Sequence, residues 1–325
     1  MDTINIIIMA LALSFILCAI TGPFVIPALI KLKFGQEIRE IGPSWHKKKS
    51  GTPTMGGVIF IIAITISTLL FAPYKESVFV LVTALLFGIT GFVDDFIKII
   101  KKRNLGLTEK QKLIMQIVSA VFFVLFGKFF GIIDYSIKIP FIPGYVDIWY
   151  FYIPVALFVL VGGTNSVNLT DGLDGLAASV TAVVGVFFTV AVLKMCSLGQ
   201  NELFPVAVFS AALTGGCIGF LLFNAHPAKV FMGDTGSLFL GGAICAMALV
   251  IKNPLILIIC GGVYVIETLS VIIQVTSFKL TGKRVFKMSP IHHHFEMCNW
   301  SEKKIVLTAI LISLILCIIS YIMLF

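Results

Sequence analysis

Ten apolar stretches, each close to the length that crosses a bilayer, take up most of this chain. A hydrocarbon core about 30 Å thick needs about 20 residues of helix. The candidate segments run over residues 4–30, 55–72, 77–97, 111–130, 150–168, 174–193, 202–223, 236–251, 254–280 and 303–324. The chain therefore reads as an all-α integral membrane protein with about ten transmembrane helices. Composition agrees: 58% of its 325 residues are hydrophobic and 12% are charged, where soluble domains carry about a quarter charged residues. Segment 236–251 is short and Pro254 follows it closely, so a tilted or partly buried helix is expected there. The first segment has no basic leader and no small-residue cleavage site, which reads as a retained span. With no internal repeat and no low-complexity linker, residues 1–325 read as a single membrane domain.

The net charge of +8 would suit a nucleic-acid binder, but its placement excludes one. All of the 24 Lys and Arg residues except Lys75, Lys128, Lys138, Lys194 and Lys252 fall in or beside one alternating set of loops, 31–54, 98–110, 169–173, 224–235 and 281–302. The positive-inside rule makes that set cytoplasmic and turns both termini outward. On the outer side, residues 134–147 alternate in polarity around Pro140, Pro143 and Gly144, the pattern of a short hairpin. The cysteines Cys18, Cys196, Cys217, Cys245, Cys260, Cys298 and Cys317 form no CxxC pair and read as small core hydrophobes.

Acidic residues at the edges of membrane spans are costly and mark function. Here they gather on one side. Asp94 and Asp95 end the third span in GFVDDFIKI, Asp171 and Asp174 lie in NSVNLTDGLDGLA, and Asp234 lies in NAHPAKVFMGDTGS. Hard carboxylate oxygens suit Mg²⁺ or Mn²⁺ shared with substrate phosphates. Adjacent carboxylates also repel, so one of a pair can serve as a base. A DD pair alone would read as a cap or a surface patch; with three further acids on the same face that reading recedes. The three-residue spacing of Asp171 and Asp174 puts both on one face if the segment is helical.

The same loops carry Lys47, Lys48, Lys49, Lys98, Lys101, Lys102, Arg103 and Lys110. Carboxylates, a metal and lysines together suit a pyrophosphate substrate, although juxtamembrane lysines commonly only set topology. Lys49 stands out because it abuts the glycine-rich SGTPTMGG. That stretch and GDTGS are candidate phosphate cradles at helix starts; neither is a Walker or dinucleotide fingerprint. In MSPIHHHFE, the residues His292, His293 and His294 could bind metal, donate to phosphate or nucleobase, or act as a base. His46 and His226 read more simply as loop residues. Glu267, alone inside the ninth span, reads equally as a ligand contact or a packing hydrogen bond.

Taken in order, HKKKSGTPTMGG, GFVDDFIKI, NLTDGLDGLA, NAHPAKVFMGDTGS and SPIHHHFE resemble the phospho-N-acetylmuramoyl-pentapeptide transferases, within the polyprenyl-phosphate N-acetylhexosamine-1-phosphate transferases. The resemblance covers nearly the whole chain. It implies transfer of phospho-N-acetylmuramoyl-pentapeptide from its UDP donor to undecaprenyl phosphate, giving lipid I and UMP with Mg²⁺, at the cytoplasmic face of a bacterial plasma membrane. It further implies Asp234 as metal ligand, Asp94 as the favoured base with Asp95 beside it, and His292, His293 and His294 as the essential histidine loop. Asn168, Asp171, Asp174 and Asn224 match active-site positions. Gly172, Leu173 and Phe231 match positions around the uridine, and Lys49, Thr54, Lys98, Lys102 and Lys110 match the polar cleft. A homodimer is the implied assembly.

Two rivals are weighed on the residues. A sibling transferase of N-acetylglucosamine phosphate shares the metal and lipid, but carries a differently spaced histidine pattern. A secondary transporter gathers its polar groups near the bilayer midplane; here they lie at span ends on one side.

Overall fold

The computed structural model describes residues 2–31, 51–101, 106–139, 142 and 144–325. Among these, helices α1 (Thr3–Lys31), α2 (Gly57–Phe71), α3 (Lys75–Ile100), α4 (Glu109–Phe129), α5 (Tyr152–Thr170), α6 (Leu176–Ser197), α7 (Phe204–Asn224) and α8 (Gly233–Val250) are followed by α9 (Leu257–Cys260), α10 (Gly262–Thr281), α11 (Ile291–Glu296) and α12 (Glu302–Leu324). Nine helices among the described residues are long and apolar enough to cross a membrane. The protein is thus a multi-pass membrane protein, and each apolar stretch of the sequence corresponds to a helix or a broken helix.

Two stretches depart from the expected shape. The second is a helix of 15 residues, about 22 Å long at 1.5 Å per residue. It starts late because the chain leading into it is tied by backbone bonds to 231–232. Phe231 N–H donates to Pro53 O (2.8 Å), Gly56 N–H to Phe231 O (2.8 Å) and Gly57 N–H to Met232 O (3.0 Å). The ninth stretch is broken rather than continuous, with α9 ending at Cys260 and α10 starting at Gly262. Between α4 and α5, β1 (Ser136–Ile137) pairs antiparallel with β2 (Val146–Asp147), the hairpin that the alternation of 134–147 predicts. Lys252 binds Asp134 beside it.

The short eighth helix is the centre of the fold. Every residue of α8 from Thr235 to Val250 is buried, and α3, α5 and α2 pack around it. Small residues allow the approach, since helices in lipid associate by close van der Waals contact. A methyl group built on Gly57 would lie 2.4 Å from Gly236 Cα, and one on Gly91 would lie 2.0 Å from Asp234 O. Large apolar side chains such as Phe24, Phe158 and Leu280 stay exposed on the outer flanks, where lipid covers them at no hydrophobic cost.

Candidate active site

Asp94, Asp95 and Asp234 converge where the end of α3 meets the start of α8. One carboxylate oxygen from each lies within 4.8 Å of the others. The Lys98 ammonium, a turn further along α3, sits among them at 2.6 Å from Asp94, 3.3 Å from Asp95 and 3.1 Å from Asp234. Lys112 in the first turn of α4 binds the same Asp234 oxygen at 2.8 Å. Its place is set by a capping box: Thr108 accepts from Gln111 N–H, and the Gln111 side chain accepts from Thr108 N–H, fixing where α4 begins.

Each carboxylate is also aimed by neutral groups. Asp95 Oδ2 accepts from Thr235 N–H (2.9 Å) and from the Thr235 hydroxyl (2.8 Å). Asp94 Oδ1 accepts from Leu107 N–H (2.8 Å). The Asn168 amide donates to Asp234 Oδ1 (2.9 Å) and to the Ser237 hydroxyl (2.8 Å). The GDTGS segment is therefore no free phosphate cradle: its Thr235 N–H is committed to Asp95. Gly233, at φ 71°, is needed for this packing, because a methyl group there would lie 2.5 Å from Asp95 Oδ2 and 2.8 Å from the Thr54 hydroxyl. Thr54 is thus at the cluster, and Phe231 adjoins it through its backbone bonds to Pro53 and Gly56.

Residues 168–175 join this cluster to two further groups. Residues 168–170 end α5 and 171–175 form a turn before α6, with Gly175 at φ 77°, so Asp171 and Asp174 do not share a helix face. Asp174 turns away to His226, whose Nδ1 lies 3.1 Å from Asp174 and 3.3 Å from Glu302; Ala228 N–H also donates to Asp174 (3.1 Å). Asp171 keeps some contact with solvent, yet burial, followed by the negative charges of Asp234, Asp95 and Asp174, pushes its carboxyl well above the usual range. Leu173 is buried in the core beneath the turn. Asn224 is a brace: its Oδ1 accepts from Gly175 N–H (3.1 Å) and its amide donates to Val230 O (2.9 Å).

The histidines form a short helix, α11, and lie against the same turn. His292 Nδ1 is 3.0 Å from Glu267 Oε2 and His293 Nδ1 is 2.6 Å from Glu296 Oε2. His294 Nδ1 instead accepts from Lys287 N–H (3.1 Å). A methyl group on Gly172 would lie 2.2 Å from His292 Nε2, so only glycine lets this ring close on the turn.

Of the residues expected from the sequence, Asp94, Asp95, Asp234, Lys98, Asn168 and Thr54 meet in one cluster. Asp171, Gly172, Leu173, Asp174, Asn224 and Phe231 shape the adjoining turn and loop, and the three histidines flank it. Lys110 is exposed on α4, with no contact to the cluster among the described residues. Lys49 and Lys102 lie outside the described residues. Sequence reasoning assigned Lys112 only to topology, and it missed Thr235, Ser237 and Glu296. Lys112 had one available signal, its place in the first turn after the T-E-K-Q capping pattern.

Three carboxylates closing around the Lys98 ammonium, with the Asn168 amide and Lys112 beside them, form a polar cluster at the end of a helical bundle. The model for glycosyl transferase family 4 matches residues 77–252, which hold all three carboxylates, and so places this fold in a class of transferases. Residues 49–61 match signature 1 of the phospho-N-acetylmuramoyl-pentapeptide-transferases. Proteins of that name share 52% identity over 318 residues in Clostridium botulinum (97% of this chain, 96% of the relative) and 51% over 316 residues in Caldanaerobacter subterraneus (97% and 98%). The relative in Halalkalibacterium halodurans shares 52% over 311 residues (94% and 93%). This chain belongs to the phospho-N-acetylmuramoyl-pentapeptide-transferase family.

Proposed function

We propose that the protein transfers phospho-N-acetylmuramoyl-pentapeptide from UDP-N-acetylmuramoyl-pentapeptide to undecaprenyl phosphate, releasing UMP and forming lipid I. The observation that carries the reading is the closure of Asp94, Asp95 and Asp234 around one cation position, in a chain matched along 97% of its length by transferases of that name. In the reaction an oxygen of the lipid phosphate attacks the sugar-bearing phosphorus of the donor. The new P–O bond forms as the bond to the bridging oxygen breaks, and UMP leaves with that oxygen.

Phosphoryl transfer asks a protein mainly for positioning and charge neutralisation. The donor set fits Mg²⁺: three hard carboxylates stand close enough to share an ion, and the Lys98 ammonium already occupies the centre as a cation would. Asp234 is the principal ligand, with Asp94 and Asp95 able to contribute. Bound there, Mg²⁺ would neutralise pyrophosphate oxygens and make UMP a better leaving group. Lys98 and Lys112 hold Asp234 in place and supply further positive charge. By the pattern of the family, Asp94 is the base toward the lipid phosphate, with Asp95 beside it. The histidine helix receives the nucleotide-sugar.

The site end faces the cytoplasm, as the basic loops require, and both termini face outward, in a bacterial plasma membrane. Undecaprenyl phosphate then approaches from the bilayer and the nucleotide-sugar from solution. The family resemblance further implies a homodimer. The test is a comparison of donors with purified protein in detergent and undecaprenyl phosphate. UMP release with UDP-N-acetylmuramoyl-pentapeptide and not with UDP-N-acetylglucosamine is expected; release with the second donor alone would move the substrate to the sibling transferases.

A further inference from the structure

The mechanism above uses His292 but not the carboxylate that holds it. Glu267 lies within α10, 4% exposed, and His292 is 1% exposed. Glu267 Oε2 receives two groups from this one residue, the ring Nδ1 at 3.0 Å and the backbone N–H at 3.4 Å. An oxygen already accepting the backbone N–H is an acceptor for Nδ1 as well, which puts the ring proton on Nδ1. In a histidine the partner of one nitrogen decides the state of the other. The His292 Nε2 left over is buried and has no hydrogen-bond partner among the described residues. It lies against Gly172, in the turn that directly follows the end of α5, where Asn168 reaches the carboxylates. Two residues later the arrangement is reversed. His294 Nδ1 accepts a backbone N–H from Lys287, so its proton belongs on Nε2. Adjacent histidines of one motif are thus set to opposite forms by different partners.

We propose that Glu267 is a positioning residue for the transfer reaction: it fixes His292 with Nδ1 protonated and presents the bare Nε2 lone pair to a hydrogen-bond donor on the nucleotide-sugar. The inference rests on the proposed transferase reading. A buried nitrogen without a partner carries a desolvation penalty. A substrate N–H or O–H that reached it would remove that penalty, so the vacancy favours the bound state. Glu267 acts through His292 and touches neither the lipid phosphate nor the metal cluster. Its loss therefore falls on one substrate.

The direct test is ¹⁵N NMR of histidine-labelled full-length protein in lipid, with His292→Asn used to assign the signal. Protonated Nδ1 with unprotonated Nε2 is expected for His292; the opposite form would overturn the proposal whatever the activity. The kinetic test compares Glu267→Gln and Glu267→Asp with the unaltered protein. Glu267→Gln should raise KM for the nucleotide-sugar by about tenfold, the scale of one buried charged hydrogen bond, with KM for undecaprenyl phosphate unchanged. Glu267→Asp should recover part of the loss. An unchanged donor KM, or equal rises for both substrates, refutes the positioning role. Unaltered protein that releases no UMP would instead sink the transferase reading, so the two failures are distinguishable.

Discussion

Replacing Gly91 with alanine tests the packing that places Asp234. Gly91 lies on the face of α3 that meets the start of α8, and a methyl group there would stand 2.0 Å from Asp234 O and 2.3 Å from Asp234 C, against 3.4 Å for the nearest ordinary contact. Both partners are backbone, so no side chain can swing aside. The helices must separate locally by about 1.4 Å, and the atoms that move first are those of Asp234. Alanine favours a helix over glycine by about 1 kcal/mol, while overpacking costs about 1–3 kcal/mol, so net stability should fall only slightly. Activity should fall far more, because a displacement of about 1 Å at a reacting centre costs about 100-fold. Gly88→Ala, one turn earlier on the same face, is the matched control, since its methyl group would come no closer than 3.2 Å to the Phe239 side chain and 3.7 Å to Thr235 O. The assay is UMP release by both variants in detergent, with thermal melting as the check on folding. Near wild-type turnover in a folded Gly91→Ala variant would refute the claim that this contact sets the carboxylate geometry.

Three further outcomes follow from the same structure. Lys112→Ala should cut turnover by about 100-fold, the scale for loss of one charge-stabilising donor, while Lys110→Ala, exposed and two residues earlier, should cost far less in the same assay. Asn224→Ala leaves Gly175 N–H and Val230 O without partners, so melting in detergent should show a loss of about 2–4 kcal/mol, marking Asn224 as a brace more than a substrate contact. The Asp171 carboxyl is raised in the folded protein by burial first and neighbouring carboxylates second, so its contribution to stability is fully present below the unfolded pKa near 4 and is lost as pH rises through the folded value. Metal-free protein in EDTA should therefore melt lower as pH rises from about 4 toward the folded value, and Asp171→Asn should flatten that part of the curve.

The acids were legible in the sequence because a carboxylate at the edge of an apolar span has few reasons to be there, and positive-inside asymmetry put all five on one side. The spans were legible for the same reason of composition. What periodicity could not reveal was how residues 171–175 turn. DGLDG spaces its acids as a helix would, but α5 ends at Thr170 and the turn that closes with Gly175 in the left-handed region leaves Asp174 against His226. The late start of α2 was hidden because the backbone bonds that tie the preceding residues to 231–232 join segments far apart in sequence. Lys112 looked like any juxtamembrane lysine; only the cap at Thr108 aims it. Glu267 was recognised as unusual, but its partner lies 25 residues away on a separate element, a pairing that only the fold creates.

The proposed transfer depends most directly on Asp234 as a metal ligand. UMP release from UDP-N-acetylmuramoyl-pentapeptide and undecaprenyl phosphate should be measured across a Mg²⁺ titration, from EDTA-treated protein upward, for the unaltered chain and for Asp234→Asn. Turnover that appears with Mg²⁺ in the unaltered protein, and stays absent at every concentration in a folded Asp234→Asn variant, is the expected result. Full turnover in EDTA, or an Asp234→Asn variant with the same Mg²⁺ response as the unaltered chain, would contradict the carboxylate cluster as the metal-dependent centre of the transfer.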